Sequence, residues 1–356
     1  MGQLGPGGLE RQLCFLLQAI DRERYRPEVV VWNFRAEDTY VSQIQRLGVP
    51  LRSFPNTLSA HGKLFAFRRM ATHIKPEVIH SYSFYTNIAA YWAALQTKTI
   101  SIGSVRGDFI RDKQSCGFVL GGLSARWPRT QICNSFTAAE NARVCRSPFA
   151  PGQMLVVRNG LDLNQFQRIP LPTNGRARIL GVGSLLQIKR WDRLLTAALT
   201  LKKRGLDFII EIAGGGPLRE ALERQAQDMK IADRISFKGH ADNVLSLLAY
   251  STLLAHTSDV EGCPNVVMEA MACGRPVVAT DAGDIPSLVA DGETGFVVRR
   301  GDDATLVERL ATLITNRDLC HQMGDAGRAK AEQEFSLGRF AEQTFAAYRA
   351  AGWRDS

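Results

Sequence analysis

Residues 261–280 read EGCPNVVMEAMACGRPVVAT. Pro264 suits the first turn of a helix, where a missing N–H costs nothing, and Gly274 suits its end, where a left-handed residue closes the last turn. Residues 276–279 then read as a short buried strand. Loop, helix and strand in this order are one unit of a strand–helix alternation, and the same alternation runs outward in both directions. Strand candidates lie at 28–32, 51–54, 77–80, 99–105, 130–133 and 154–157, then at 178–182, 207–213, 234–237, 252–255, 276–279 and 295–298. Amphipathic stretches of helical length separate them. That pattern is a parallel sheet covered on both faces, an α/β architecture of two doubly wound, Rossmann-like units. Between them, Asn159-Gly160 reads as a turn, and residues 168–176, with Pro170, Pro172, Asn174 and Gly175, as a linker. The expected division is 1–168, 169–336 and a closing helix in 337–356.

One departure stands at the start. A doubly wound unit opens with a strand that feeds a glycine turn, and that strand is normally central in the sheet. Here the turn Gly5-Pro6-Gly7-Gly8 follows only Met1 to Leu4. The first strand of the N-terminal unit is therefore expected to be missing.

Composition narrows the class. The 356 residues are 45% hydrophobic and 22% charged, enough to bury a core in each of two domains of ~150 residues. No apolar run approaches the ~18 residues of a membrane span, and no basic-then-apolar leader opens the chain. The seven cysteines are scattered and never spaced as C-x-x-C, so they read as buried thiols of a reducing compartment rather than a disulfide framework or zinc cluster. The expectation is a cytoplasmic chain, soluble or peripheral at the inner face of a membrane. Charge is uneven: residues 1–166 hold 20 Lys and Arg against 11 Asp and Glu, whereas residues 167–356 hold 24 of each. The basic half is expected to meet something anionic. Its basic stretches lack interleaved aromatics, which argues against nucleic acid. Residues 61–75 place Leu64, Phe67, Met70 and Ile74 on one helical face and Lys63, Arg68, Arg69 and Lys75 on another, the pattern of an ordinary amphipathic helix with a solvated basic side or of peripheral contact with anionic lipid.

The chemistry concentrates around 261–280. Glu261 precedes the helix and Glu269 lies within it, and the five residues from Pro264 to Glu269 span roughly 7.5 Å. Two carboxylates so spaced can each accept from a vicinal diol. Between them, the N–H groups of Asn265, Val266 and Val267 at the helix start favour an anion. Glu269 is flanked by Val266, Val267, Met268, Ala270 and Met271, and a carboxylate among apolar neighbours needs a partner. Glu261 alone reads equally well as a loop charge.

These segments resemble the E-x7-E signature of retaining family 4 glycosyltransferases, whose GT-B fold sets two Rossmann-like domains across a cleft. The likeness includes Gly5 to Gln12, Val78 to Ser81, Asn159 to Phe166, Gly181 to Lys189, Ile212 to Pro217 and Phe335-Ser336. It implies that Glu269 binds the nucleotide ribose, that Glu261 contacts the transferred sugar, and that the backbone of residues 262–267, with Gly262, Cys263, Pro264, Asn265, Val266 and Val267, lines the diphosphate. It also implies that Lys189 meets the diphosphate, where an ammonium offsets charge on the leaving group. The family commonly carries Arg where this chain has Ser184, so Lys189 acts with backbone amides or Arg190 substitutes. Gly7, Gly8 and Gly215 are expected to let backbone approach the donor. Arg106 stands where many relatives carry a pocket His, and is expected to bind a hydroxyl, a phosphate or an acidic acceptor. His80 reads as a structural histidine.

Other motifs fit less well. Gly181-Val182-Gly183 opens a dinucleotide fingerprint but lacks its third glycine and a capping acid. Asp259 and Glu261 have the spacing of a metal pair, yet the resemblance implies no catalytic metal and no cofactor. With no base or nucleophile identified, the resemblance implies front-face retention, the leaving phosphate taking the acceptor's proton. The expected partners are a nucleotide-sugar donor and an anionic or lipid-linked acceptor. The rivals are a sugar-nucleotide epimerase or phosphorylase on the same fold, and a binding protein without turnover.

Overall fold

The structure, a computed structural model, describes residues 1–145, 147–172, 175–241 and 243–355. Asn174 of the expected linker lies outside them. The chain forms two compact units, Met1–Gly160 with Leu337–Ser356, and Leu161–Ser336.

The first unit holds β1 (Val29–Val31), β2 (Leu51–Ser53), β3 (Val78–His80), β4 (Ile100–Val105), β5 (Thr130–Cys133) and β6 (Gln153–Val156). Strands β3 to β6 form a parallel sheet in sequential order, and β1 pairs with β2 apart from it. Among the described residues no strand joins β1 to β3. Met1 and Gly2 lie there instead. The Met1 ammonium donates to Val30 O at 3.0 Å, Trp32 N–H donates to Met1 O, and Gly2 N–H donates to Ser83 Oγ. The helix Leu337–Ala350 belongs to this unit. Phe345 stacks on Tyr25 at 4.6 Å, and a Cβ on Gly160 would lie 2.7 Å from the Phe340 ring, so only glycine admits the helix so closely.

The second unit holds β7 (Ala177–Val182), β8 (Phe208–Ala213), β9 (Ile235–Gly239), β10 (Leu253–His256), β11 (Val277–Thr280) and β12 (Gly295–Val298). Their order is β12-β11-β10-β7-β8-β9, all parallel. The chain runs outward one way from β7, then returns to β10 and runs outward the other way. The order therefore reverses between β7 and β10, and in such sheets the crevice beyond the carboxyl ends at the reversal is where ligands bind. The helix Trp191–Lys203 shows why the layers form: Trp191, Leu194, Leu195, Ala198 and Leu201 recur at helical spacing and are buried against Ile179, Ile210 and Ile212 of the sheet. Each such leucine removed from water stabilises the unit by about 1.5–3 kcal/mol.

The chain enters the second unit at Leu161, ahead of the proline-containing stretch expected to divide the units near 168. Side-chain chemistry explains this. Leu161 N–H donates to Phe335 O, Arg328 donates to Phe166 O, and the fully buried Arg275 donates to the carbonyls of Ile169, Pro170, Leu248 and Ala249. Residues 161–170 are thereby tied to the second unit. Burial pushes the Arg275 guanidinium down to about 10, still cationic at neutral pH.

The 61–75 segment is the helix Ala60–Ile74, but its faces differ from the expectation. Leu64, Phe67, Met70 and Ile74 are half-buried within the unit, with Phe67 edge-on to Phe54. Lys63, placed on the basic face by helical spacing, is buried and donates to Trp32 O at 2.8 Å and to Asn33 Oδ1 at 3.2 Å. A long stem lets the ammonium of an inward-facing lysine reach backbone oxygen. Among the described residues no helix is long and apolar enough to cross a membrane.

Candidate functional site

The site is built where the strand order reverses in the second unit. After β7 the chain turns through Gly183 and Ser184 into a 3-10 turn, Gln187–Lys189. After β8 it turns through Gly214, Gly215 and Gly216. The two turns are packed backbone to backbone: Leu185 N–H donates to Gly215 O, and a Cβ on Gly214, whose φ is +151, would lie 1.9 Å from Gly183 O. Only glycine permits that approach. After β10, Asp259 N–H donates to Ile188 O, and Thr257 Oγ1 donates to the carbonyls of Lys189 and Arg190. The loop after β7 is thus held against the loop after β10.

This brings Lys189 to Glu261, 72 residues on in sequence. Lys189 Nζ donates to Glu261 Oε1 at 2.5 Å, and His256 Nε2 lies 2.8 Å from the same oxygen. Ser258 Oγ lies 3.3 Å from His256 Nε2. All three charged or titratable side chains are largely shielded from water. Burial alone would raise the Glu261 carboxyl, but His256 and Lys189 outweigh it and hold the group at about 2. Glu261 is therefore an anion throughout the neutral range. It accepts hydrogen bonds and has no proton to give.

Arg190 does not share this cluster. Its Nη1 donates to Asp259 Oδ2 at 2.8 Å, and its Nε and Nη2 donate to Asp192. Asp259 also receives Arg193 Nη1. The Arg190 guanidinium is thus paired with Asp192 and Asp259, where it holds the loops together. Ser184 itself contributes its carbonyl, which accepts from Trp191 Nε1.

The helix expected after Glu261 is Asn265–Ala272, with Pro264 as its extended cap residue. Of the three amides expected to be available, that of Val267 is used: it donates to Pro264 O at 3.2 Å. Asn265 and Val266 stay half-buried at the helix start, while Cys263 is buried. Glu269 is 1% exposed, one turn deeper in the helix. Gly274, at φ +71, closes the helix. The loop after β11 supports Gly262: Asp284 N–H donates to Gly262 O, and a Cβ on Gly283, at φ +55, would lie 2.4 Å from Glu261 O.

Gly7, Gly8 and Arg106 belong to the first unit. Gly7 caps the helix Gly8–Ala19 in an extended conformation, and a Cβ there would lie 2.2 Å from Glu10 Oε2. The glycine thus makes room for the chain's own carboxylate. Arg106 follows β4 directly. Its guanidinium lies 4.7 Å from the centre of the Tyr82 ring, and its Nε and Nη1 are shut from solvent with no hydrogen-bond partner among the described residues. His80 has both ring nitrogens occupied, Nδ1 by Tyr348 OH and Nε2 by Ser104 Oγ, each at 2.9 Å. Burial first, then the Arg106 charge, lower its pKa well below the usual histidine value. It is a neutral structural histidine.

Residues 7–160 match the model of the glycosyl transferase 4-like domain, and residues 164–330 match that of glycosyl transferases group 1. The chain belongs to the family 4 glycosyltransferases. The N-acetyl-alpha-D-glucosaminyl L-malate synthase of Bacillus anthracis is 28% identical over 182 residues, 51% of this chain and 48% of that protein. The GDP-mannose-dependent alpha-(1-6)-phosphatidylinositol monomannoside mannosyltransferase of Mycolicibacterium smegmatis is 32% identical over 204 residues, 51% of this chain and 53% of that protein. The chain thus spans about half the length of these curated relatives. Anabaena HepE, solved in complex with UDP-glucose, superposes with a TM-score of 0.80 over 98% of both chains at 19% identity, which shows the GT-B fold.

In this member of the family, two contributors to the site escaped the sequence reading. His256 ends β10 five residues before Glu261, a polar ring closing an apolar strand, and that position was the available signal. Gly283 gave a weaker one, since a glycine in a strand-to-helix loop is common.

Proposed function

We propose that this glycosyltransferase moves a hexosyl group, with retention, from a nucleotide-diphosphate sugar to a hydroxyl acceptor. The observation that carries the reading is the shielded Lys189–Glu261–His256 cluster at the strand reversal of the second unit. An ammonium and an obligate carboxylate side by side suit a donor that is anionic at its diphosphate and rich in hydroxyls at its sugar. Lys189 turns toward the diphosphate, and Glu261 accepts from the sugar hydroxyls. The helix start at Asn265–Ala272, with its positive dipole end, faces the diphosphate, and Glu269 accepts from the ribose.

In the transfer step, the bond between the anomeric carbon and the diphosphate oxygen breaks with its electron pair going to the diphosphate. The acceptor oxygen bonds to the same face of that carbon, and its proton passes to the departing phosphate oxygen. No protein base is needed, which accords with a neutral His80 locked on both nitrogens. The first unit binds the acceptor, with the Arg106 guanidinium, held over the Tyr82 ring after β4, reading an anionic group on it. Support for the donor class comes from HepE, solved with UDP-glucose, and support for a lipid-borne acceptor comes from the mannosyltransferase whose name includes phosphatidylinositol monomannoside.

The test incubates the protein with UDP-glucose, GDP-mannose and UDP-N-acetylglucosamine, each with and without candidate acceptors. Proton NMR follows the anomeric signal. The reading requires acceptor-dependent release of nucleoside diphosphate and a product with the donor's anomeric configuration. Conversion of donor alone points to an epimerase, an inverted product removes the front-face step, and binding without turnover leaves a binding protein.

A further inference from the structure

The helix Phe118–Arg126, sequence FVLGGLSAR, is turned inside out. Its buried positions are the small ones, Gly121, Gly122, Ser124 and Ala125, and its large apolar residues face solvent. Phe118 is 89% exposed and Val119 69%, with Leu120 and Leu123 also exposed. An ordinary surface helix does the reverse, and consecutive exposed apolar residues are not kept on a folded surface without a use for them.

The small face is required by packing. A Cβ on Gly121 would lie 2.0 Å from Lys113 O, so the helix sits tightly on the end of the helix Phe109–Ser115. A Cβ on Gly122 would lie 3.3 Å from the Phe149 ring, which places exposed Phe149 over this helix and extends the apolar surface. The orientation is therefore built in.

The rim is basic. Lys113 Nζ donates to Phe149 O and Ser147 Oγ, Arg126 Nη1 donates to Ala150 O, and exposed Arg111 and Arg129 lie on the adjoining segments. Of the acids on these segments, Asp108 has one oxygen capping Arg111 N–H and the other accepting from Asn141, and Asp112 is turned in against Gly107, its carboxyl raised to about 6 chiefly by burial. The whole unit, Met1–Gly160 with Leu337–Ser356, carries 23 Lys and Arg against 12 Asp and Glu, a net +11, whereas Leu161–Ser336 carries 21 against 23.

We propose that Phe118, Val119, Leu120, Leu123 and Phe149 form a tip that inserts into an anionic lipid surface, with Lys113, Arg111 and Arg126 meeting the headgroups. An apolar tip ringed by cations matches hydrocarbon below negative headgroups. The surface is distinct from the helix Ala60–Ile74, whose apolar stripe packs inward, and it does not depend on which sugar is transferred.

The test is co-flotation of the full chain with vesicles of phosphatidylcholine and phosphatidylglycerol in an about two-to-one ratio, against pure phosphatidylcholine. The mixed vesicles should capture the protein, and capture should weaken as ionic strength rises from ~0.1 to ~1 M. The double variant Phe118→Ser/Leu120→Ser should lower partitioning by roughly 10- to 100-fold. Phe65→Ser, at an exposed aromatic on the Ala60–Ile74 helix, should leave it unchanged. Hydrogen exchange of residues 117–123 should slow on mixed vesicles, a measurement that needs no variant. The proposal is overturned if the mixed vesicles capture nothing, if the double variant binds as well as the parent, if Phe65→Ser is the variant that loses binding, or if 117–123 exchange equally fast with and without vesicles. Concentration-dependent dimers in sedimentation velocity that the double variant abolishes overturn it in favour of a self-association face.

Discussion

Replacing Glu261 with Gln removes the negative charge of the cluster, leaves the Lys189 ammonium and keeps the shape, with a consequence that depends on pH. The folded carboxyl sits at about 2 against an ordinary value of 4.5. A depressed folded value means that the ionised carboxylate stabilises the fold above the unfolded value and that this contribution is lost as pH falls toward 2. At 1.36 kcal/mol for each tenfold change, the difference amounts to about 3.4 kcal/mol at neutral pH and about 1.4 kcal/mol at pH ~3. The parent should therefore lose about 2 kcal/mol relative to Glu261→Gln between pH ~6 and ~3. Contributions from the other carboxylates are common to both proteins and cancel in the difference. Urea unfolding, followed by hydrogen exchange of peptides from β7 and β10, reports on the unit that holds the cluster. A difference that stays constant or grows as pH falls would mean that Lys189 and His256 do not hold Glu261 as an anion, and the electrostatic account of the site would fail.

Three further outcomes follow from the same structure. Arg275→Met leaves four carbonyls without their buried donor and should lower the melting temperature of the second unit by roughly 10 °C in calorimetry; an unchanged value would mean those contacts do not hold residues 161–170 in place. Gly214→Ala forces a methyl group onto Gly183 O and should cost more than ~2 kcal/mol in urea unfolding while weakening donor binding; a neutral effect would show that the glycine turns need not touch. Glu269→Ala should weaken nucleotide-sugar binding by roughly 10-fold in titration calorimetry, and unchanged affinity would remove Glu269 from the donor site.

Most strands among the described residues were legible because they are short β-branched or apolar runs bounded by turn residues, and a parallel sheet buried on both faces leaves little else for such runs to be; β2, Leu-Arg-Ser and largely exposed, is the weakest such run. The helix between Pro264 and Gly274 was legible for the same local reasons. What stayed hidden depends on distant partners. Lys63 carries the sequence signature of a solvated lysine, and only the position of Trp32 O and Asn33 shows that it turns inward. Arg190 adjoins Lys189, yet Asp192 and Asp259 divert it, while Lys189 reaches Glu261. The Val267 amide looked available until the cap geometry at Pro264 was fixed. The outward turn of Phe118-Val119-Leu120 depends on the close packing of Gly121 against Lys113 O and of Gly122 against Phe149, partners distant from the run itself.

The central claim is that Lys189, beside Glu261, holds the diphosphate of a nucleotide sugar. Titration calorimetry of the parent and of Lys189→Met, with the nucleotide sugar that most raises the parent's melting temperature, tests it most directly. The account predicts binding to the parent and an affinity roughly 10- to 100-fold lower in the variant, with circular dichroism unchanged. Equal affinity in the two proteins would contradict it.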